Sequence, residues 1–298
     1  MKLFDVVLLT QQEYLLPKTL SEYNQNILLE DALLRGALEK YNLRVARKGW
    51  DDADFDWSTT KYVVFRTPWD YFHRYAEFSA WLAKAVKQTS FLNHPETIFW
   101  NIDKHYLADL ASKGFPVVKT QYIEAGTHIT LRDVFTSFAI GEIIIKPAIS
   151  GTARHTYRIT EQVIDAHENI FQQLVAKECM LVQPFLESIL TRGEITLVVL
   201  DGKFTHAVLK RAKTGDFRVQ DDFGGTVHDY IAANDEKKFA EQVFQSLSPV
   251  PVYGRIDLVW GDDGNLLISE LELIEPELWM RKNPTSASIF AEGILKYF

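Results

Sequence analysis

Cysteine is almost absent from this chain of 298 residues, which also lacks long apolar runs and any excess of positive charge. The single cysteine, Cys179, cannot form an internal disulfide, which is typical of a reducing compartment. Uncharged apolar runs are far too short to cross a bilayer, and the N-terminus has neither the apolar stretch nor the cleavage site of a signal peptide. We therefore expect a soluble, cytoplasmic protein without a membrane partner.

The balance of charges disfavours nucleic acid as a partner. Lysine and arginine together number 32 against 40 aspartates and glutamates, which gives a net charge of −8 at pH 7. A protein that coats DNA needs a broad positive surface, so any polyanion bound here must meet a local cluster of basic residues. Apolar residues make up 47% of the chain, enough for a large core, which excludes a disordered, collagen-like or coiled-coil protein.

Common nucleotide and metal motifs are also missing. No Gly-x-Gly-x-x-Gly follows the first predicted strand, and no Gly-x-x-x-x-Gly-Lys-Ser/Thr loop occurs in the chain. No pair of cysteines and no His-x-x-x-His spacing is present to bind zinc. The dinucleotide fingerprint, the P-loop and zinc sites of these types are therefore excluded.

Apolar periodicity predicts an alternation of strands and helices in the first third of the chain. Strands at 3–9, 43–47 and 61–66 alternate with helices at 23–41 and 71–86. This order is typical of a parallel, doubly wound sheet.

The pattern changes after Gly114-Phe115-Pro116, which we interpret as a boundary. Two hairpin turns, at 201–202 and 261–264, mark the last third as richer in antiparallel strands. Further strands are predicted at 117–123, 142–147, 179–183, 195–200, 203–209, 252–260 and 265–271, and further helices at 131–138, 161–176 and after Pro284.

Three acidic residues near the C-terminus form the strongest local feature. Glu270 and Glu272 alternate on one predicted strand and therefore share a face of the sheet, while Asp257 lies on the preceding strand of the same hairpin. Like charges this close repel unless a cation neutralises them, and Mg²⁺ prefers carboxylate, water and phosphate oxygens. The alternative is that the three acids simply face solvent.

A lysine at the end of a wholly apolar strand is the second feature. Lys146 precedes a loop of small residues, Ser150, Gly151 and Thr152, whose backbone N–H groups could surround a phosphate. A lysine that merely extends from a strand end into solvent is the alternative.

The stretch 180–187 is an apolar strand that runs into a linker containing a proline. The backbone N–H and C=O groups of this linker could pair with the edge of an adenine, with Phe185 and Leu186 as apolar walls. An ordinary strand end has the same pattern.

Basic residues supply two further candidates. Lys210, Arg211 and Arg218 lie in a glycine-flanked segment and could stabilise negative charge on a phosphoryl group in transfer, although a solvated hairpin is the alternative. Arg66 ends an apolar strand of the first third, and the carboxyl ends of such strands line the crevice of open α/β sheets. We therefore consider Arg66 for binding a substrate carboxylate, with a purely structural arginine as the alternative.

In their order and spacing, these features resemble the ATP-grasp superfamily, in particular its glutathione-synthetase-like and D-alanine–D-alanine-ligase-like branches. The resemblance extends from Asn101 to the C-terminus, and the preceding residues resemble the Rossmann-like domain of that family. It implies an α/β (α+β) fold with a Rossmann-like domain at 1–115, an ATP-grasp small lobe at 116–186 and a C-terminal lobe with a metal site at 187–298. The segments 65–81, 209–225 and 270–277 also resemble a smaller group that includes the cyclo-ligase of cycloserine biosynthesis.

The resemblance implies a role for each matching residue. The lysines contact the nucleotide phosphates, the small-residue loop closes over them, the stretch 183–186 holds adenine, and Glu194 or Glu187 binds the ribose. The implied ATP-binding residues are Lys104, Lys146, Ser150, Gly151, Thr152, Gln183, Pro184, Phe185, Leu186, Glu187 and Glu194. The implied metal ligands are Asp257, Glu270 and Glu272, of which the last departs from the asparagine usual in the family.

The resemblance implies an ATP- and Mg²⁺-dependent carboxylate–amine (or carboxylate–nucleophile) ligase, with Mn²⁺ as an alternative metal. Such an enzyme forms a C–N bond through an acyl-phosphate of a small amino-acid-like or peptide-like substrate, and dimers are common among its relatives. One alternative is a non-catalytic ATP-binding protein that uses the same cleft. Another is a metal-dependent phosphohydrolase built on the three acids, which would leave Lys104, Lys146 and Gln183 without a role.

Overall fold

The computed structural model describes residues 2–220 and 223–298, which fold around three sheets. The first sheet is parallel, with the strand order β2-β1-β3-β4. Its strands are β1 (Phe4–Thr10), β2 (Val45–Gly49), β3 (Thr60–Thr67) and β4 (Ser90–Leu92). The helices of this part of the chain are α1 (Gln12–Leu15), α2 (Glu22–Glu39), α3 (Tyr75–Ala85), α4 (Pro95–Asn101) and α5 (Tyr106–Ser112).

The central strand of the first sheet is buried on both faces, as expected for a parallel sheet covered by helices. Val6 and Leu8 pack in one apolar cluster with α2 and with the C-terminal helix α10 (Ser286–Leu295). Val7 and Leu9 pack on the other face, in a cluster rich in aromatic rings. The end of the chain therefore returns to cover the sheet that its beginning forms.

The second sheet is antiparallel, with the order β5-β8-β6-β7. Alternation along β6 sets its two faces: Ile143 and Ile145 are buried in an apolar cluster with the adjacent helices, whereas Lys146 faces the opposite side. Its strands are β5 (Gln121–Ile123), β6 (Glu142–Pro147), β7 (Tyr157–Thr160) and β8 (Met180–Pro184), and its helices are α6 (Leu131–Phe138) and α7 (Ile164–Val175).

The third sheet is also antiparallel, with the order β11-β10-β9-β12-β13. Every residue of its strand β12 is buried, so the carboxylate of Asp257 lies inside the protein. Its strands are β9 (Glu194–Leu200), β10 (Lys203–Arg211), β11 (Thr226–Tyr230), β12 (Tyr253–Trp260) and β13 (Leu266–Glu272), accompanied by helices α8 (Ser188–Thr191) and α9 (Asn234–Gln245).

Side chains from α4 and α5 cover the free edge of β13, the strand that carries Glu270 and Glu272. The amide of Asn101 donates to the carbonyl of Leu271 at 2.8 Å and accepts from the N–H of Leu273 at 2.8 Å. The N–H of Leu271 donates to the hydroxyl of Tyr106 at 3.1 Å. These bonds satisfy backbone groups that an edge strand leaves unpaired, and they hold the two acids in register.

The structure confirms the predicted α/β (α+β) class, with a Rossmann-like parallel sheet followed by the two antiparallel sheets of an ATP-grasp fold. Most predicted strands and helices are present, and the helix predicted at 131–138 has those bounds. The elements that the sequence patterns did not predict are α1, β4, α4, α5, β7, α8, β11 and α9. One sheet lies within each of the ranges 1–115, 116–186 and 187–298, and these ranges stay our proposal for the domains.

Candidate active site

A cavity of about 270 Å³ lies where the three sheets meet. The segment after β3 lines it with Trp69 and Tyr71, β6 with Lys146, β12 with Asp257 and β13 with Glu270. The residues predicted from sequence that line this cavity are Lys104, Lys146, Ser150, Gly151, Thr152, Gln183, Pro184, Phe185, Leu186, Glu194, Lys210, Arg218, Asp257, Glu270 and Glu272. Residues from separate parts of the chain therefore converge on one space.

The three C-terminal acids meet at one side of this cavity. Asp257 pairs across the hairpin with Glu270, and the ladder shifts register immediately beyond Asp257. One oxygen from each of Asp257, Glu270 and Glu272 lies within 4.8 Å of the others. The prediction that the hairpin places these three acids on one face is confirmed in its geometry.

Basic side chains neutralise the three acids. Lys210 Nζ lies 3.0 Å from Asp257 Oδ2 and also contacts Glu194. Lys146 Nζ lies 2.9 Å from Glu270 Oε1. Lys104 Nζ is 3.8 Å from the same Glu270 oxygen, and Arg255 contacts both Asp257 and Glu272 through Nη2. The cavity wall is thus a network of alternating charges with little solvent exposure.

Burial and these contacts set the protonation of the acids. Burial acts to raise the pKa of Glu270, but the charges of Lys104 and Lys146 outweigh it and hold that pKa well below its usual range. Burial raises the pKa of Glu272 to about 8, against the opposing charge of Arg255. Burial also raises the pKa of Glu194, with Lys210 acting in the other direction. The neighbouring acids therefore differ sharply in their affinity for protons.

The donor set suits a hard divalent cation. Asp257, Glu270 and Glu272 offer only carboxylate oxygens, the ligands that Mg²⁺ and Mn²⁺ prefer over nitrogen or sulfur. Thr196 Oγ1 donates to Asp257 Oδ1 at 2.6 Å and so orients one of the three acids. The residues present therefore fit the metal that the family implies.

The adjoining wall carries the lysines and the small-residue loop. Lys104 Nζ donates to the carbonyl oxygen of Ser150 at 2.6 Å, which joins the segment between α4 and α5 to the start of the loop. A Cβ on Gly151 would lie 2.5 Å from a ring carbon of Phe72, so the loop can pack there only with glycine. Thr152 has a positive φ of 45°, which marks a tight turn in the same loop.

The stretch 183–186 forms another wall, at the end of β8. Gln183 donates from Nε2 to Thr120 Oγ1 at 2.9 Å, and the N–H of Phe185 donates to the carbonyl of Glu142 at 3.0 Å. The guanidinium of Arg158 lies 3.8 Å from the centroid of the Phe185 ring. An apolar wall beside backbone groups is what an adenine base requires, and this assignment stays a prediction.

The basic segment after β10 is only partly in the cavity. Arg218 lines the cavity, forms an ion pair with Asp216 at 2.6 Å and stacks on Phe223 at 3.7 Å. Arg211 is exposed and does not line it. Positions 221 and 222 of this predicted loop lie outside the described residues.

Two other candidates also lie away from the cavity. Glu187 is exposed at the start of α8, so Glu194 is the ribose candidate that the geometry favours. Arg66 is 1% exposed, with its guanidinium 3.3 Å from Asp31 and 4.0 Å from Glu30. It borders a separate space of only about 10 Å³, too small for a substrate carboxylate.

Sequence reasoning missed several residues that line the cavity. Arg255 precedes Asp257 by two positions on β12, so strand periodicity alone could have placed it on the same face. Trp69, Glu275 and Trp279 lie on irregular segments, where no periodicity indicates the direction of a side chain. Tyr71 lies in a turn, because the helix predicted at 71–86 begins only at Tyr75.

Comparisons with known proteins agree with this geometry. Residues 6–93 match the family model of the D-cycloserine synthetase DcsG N-terminal domain, and residues 110–257 match that of the prokaryotic glutathione synthetase ATP-grasp domain. The cycloserine biosynthesis protein DcsG of Streptomyces lavendulae is 31% identical over 263 residues, which cover 82% of this chain and 86% of that protein.

Solved structures show the same relationship. A crystal structure of D-cycloserine synthetase DcsG has a TM-score of 0.86 and 28% identity, covering 98% of this chain and 99% of its own. A D-alanine–D-alanine ligase from Bacillus anthracis has a TM-score of 0.63 at 13% identity, covering 98% and 96% of the two chains, which shows a shared fold.

The chain belongs to the ATP-grasp family of ATP-dependent ligases, enzymes that form C–N bonds. Within that family, it is similar over most of its length to the D-cycloserine synthetase DcsG. Among the described residues, no helix combines the length and apolar character that a membrane span requires.

Proposed function

We propose that this protein is an ATP- and Mg²⁺-dependent ligase that activates a small amino-acid-like or peptide-like carboxylate as an acyl-phosphate and joins it to an amine or similar nucleophile. The observation that carries the proposal is the convergence of Lys104 and Lys146 on Glu270, next to Asp257, in one cavity. Ammonium groups that could bind a triphosphate therefore lie directly beside carboxylates that could bind its metal.

In this proposal, the γ-phosphoryl group of ATP moves to a carboxylate oxygen of the substrate, which leaves ADP and an acyl-phosphate. The amine then attacks the acyl carbon, inorganic phosphate leaves, and the amine loses a proton. Lys104 and Lys146 bind the phosphates, and Lys210 and Arg218 stabilise charge on the transferring group. Asp257, Glu270 and Glu272 would hold the cation, which supplies positive charge to the phosphoryl oxygens.

Positioning and charge supply what this chemistry needs, so no covalent nucleophile of the protein takes part. Cys179 supports this interpretation because it does not line the cavity, and burial raises the pKa of its thiol to about 12. Mg²⁺ as the metal with Mn²⁺ as the alternative, a cytoplasmic location and a homodimer remain parts of the proposal.

The test measures carboxylate activation without knowledge of the nucleophile. Purified protein is incubated with ATP, Mg²⁺, hydroxylamine and a panel of amino acids, dipeptides and simple carboxylic acids. We expect ADP release together with an acyl hydroxamate for a subset of the panel. Thermal stabilisation by ATP with no hydroxamate and no ADP would favour the non-catalytic alternative, and cleavage of phosphate esters without ATP would favour the phosphohydrolase.

A further inference from the structure

The end of the cavity beside the first sheet contains a carboxylate without a cation partner. The other acids that line the cavity each lie within 4.0 Å of a lysine or arginine nitrogen: Glu194 and Asp257 beside Lys210, Glu270 beside Lys146, Glu272 beside Arg255, and Glu277 beside Arg281. Within the described parts of the chain, Glu275 has no lysine, arginine or histidine nitrogen within that distance. Its charge is therefore left for a ligand to balance.

Contacts with Tyr71 and Trp69 hold Glu275 in place. Its carboxylate interacts with the hydroxyl of Tyr71, which is 4% exposed, and its backbone carbonyl accepts from Trp69 Nε1 at 2.8 Å. Burial raises the pKa of the Glu275 carboxyl to about 7, although the hydrogen bond from Tyr71 and the charge of Lys104 act to lower it. An unpaired carboxylate in such a place is stabilised when a cation binds beside it.

The same end of the cavity is walled by aromatic rings. Tyr23 and Trp69 both line it, with their ring centroids 6.1 Å apart, and Tyr71 lies beside them. The faces of tyrosine and tryptophan rings attract cations electrostatically. A carboxylate beside aromatic rings is a suitable environment for a primary ammonium group.

A second observation indicates that the ligand also carries a hydrogen-bond acceptor. Trp279 is 2% exposed, lines the same cavity, and its indole Nε1 has no hydrogen-bond partner in the described structure. The guanidinium of Arg255 lies 4.9 Å from the centroid of the Trp279 ring. Buried donors are rarely left unpaired, so an acceptor oxygen of a bound molecule would satisfy this N–H.

We propose that Glu275 binds the ammonium group of the substrate, so that the site selects carboxylates that carry a free primary amine. A carboxylate without a cation and a donor without an acceptor line one cavity, and together they offer partners for the ammonium group and for an acceptor oxygen of one bound molecule. Glu275 follows Glu272, one of the three acids proposed to bind the metal, by three positions and lines the same cavity. This inference rests on the ligase function proposed above.

The probes are amino acids of both configurations and dipeptides, each compared with its N-acetyl form and with its analogue lacking the amine. Activation is measured as hydroxamate formation with ATP, Mg²⁺ and hydroxylamine. We expect hydroxamate only from compounds with the free amine. In Glu275→Gln, the KM for the best amine-bearing carboxylate should rise about 10- to 100-fold, the size of one charge-assisted hydrogen bond, while the KM for ATP changes less than about twofold.

Two variants separate recognition from folding. Tyr71→Phe removes only the hydroxyl beside Glu275 and should raise the same KM by a smaller factor. Glu96→Gln removes a carboxylate whose side chain is 79% exposed, and it should leave every parameter unchanged. A lowered melting temperature with unchanged KM in Glu275→Gln would assign this residue a structural role and overturn the inference.

The remaining outcomes distinguish the two proposals. Equal activation of N-acetylated and free carboxylates would overturn the role of Glu275 and leave the ligase function intact. Hydroxamate from no carboxylate of any kind would overturn the proposed ligase function, and the inference would fall with it.

Discussion

Lys146 Nζ lies 2.9 Å from Glu270 Oε1, although the two residues are separated by 124 positions and belong to different sheets. The contact joins the wall that would bind phosphates to the wall that would bind the metal. Neither side chain faces solvent freely, which argues against the alternatives of a solvated lysine and solvated acids. The predictions below start from this relationship and extend to residues around it.

The first prediction concerns the pair itself. Lys146→Met removes a positive charge from the phosphate wall and should weaken ATP binding about 10- to 100-fold, the range for loss of a charge-assisted hydrogen bond. Glu270→Gln removes a proposed metal ligand and should lower ADP release more than about 100-fold, because the loss of a ligand costs more than the loss of its supporting partner. Steady-state ADP release and ATP titration measure the two effects. Normal turnover in Glu270→Gln would show that the metal site is misassigned.

The second prediction concerns the packing of the small-residue loop. Gly151→Ala places a Cβ about 2.5 Å from the Phe72 ring, so the loop or the ring must move. We expect a loss of unfolding free energy of about 1–3 kcal/mol together with a higher KM for ATP. Gly36→Ala is the matched control, because nothing lies within 4 Å of its Cβ position in α2 and alanine favours helix. Urea unfolding compares the two, and equal stability for both variants would contradict the packing argument.

The third prediction concerns Arg66, for which sequence reasoning suggested a substrate role. Its guanidinium forms a buried network with Asp31 and Glu30, which also bind Arg47 and Arg281. Arg66→Met should therefore lower the unfolding free energy by about 1.5–3 kcal/mol, because it removes a buried charge-assisted hydrogen bond to Asp31, while Arg47 and Arg281 stay paired with the two acids.

The control for Arg66 is Arg35→Ala, which removes an exposed pair with Glu39 and should lower the unfolding free energy by no more than about 1 kcal/mol. Denaturant unfolding measures both variants. A raised substrate KM in Arg66→Met at unchanged stability would restore the substrate role for this residue.

The fourth prediction concerns Cys179. Burial raises the pKa of its thiol to about 12, and the charges of Glu124 and Asp103 act in the same direction. The thiol therefore stays protonated in the folded protein at pH 8, where an unfolded cysteine is partly ionised, and iodoacetamide should react at least about 100-fold more slowly in the folded state. Above about pH 8.5, the unfolded state loses this proton while the folded state keeps it, so stability falls as pH rises. Alkylation of the native protein at the rate measured in urea would contradict the prediction that the thiol of Cys179 is buried and protonated.

Local sequence patterns were sufficient to predict the bounds and the buried face of an element where only one of its faces is buried. The isoleucines of β6 alternate with Lys146, and the acids of β13 alternate with leucines, so both faces could be assigned from spacing alone. The helix at 131–138 was predicted with its observed bounds from its apolar pattern, and in the structure the side chain of Thr130 caps its start. Short elements such as α4 and α5 gave too few turns for a period to appear.

The candidate site was predictable only in part. Arg255 could have been placed by period two, but Glu275 and Trp279 lie where the chain is irregular, so their direction depends on neighbours distant in sequence. Arg66 was placed correctly at a strand end, yet the strand end alone does not say whether its partners are acids of α2 or a substrate.

The sequence by itself determined the fold class, the strand faces and the identity of the charged groups available for phosphate and metal. Only the tertiary structure decided which of those charges meet. Water solvates an exposed carboxylate or ammonium group well, but burial between the three sheets costs desolvation free energy unless an opposite charge lies beside the group. That closure pairs Lys146 with Glu270 and Arg66 with Asp31, and among the described residues it leaves Glu275 without a cation partner.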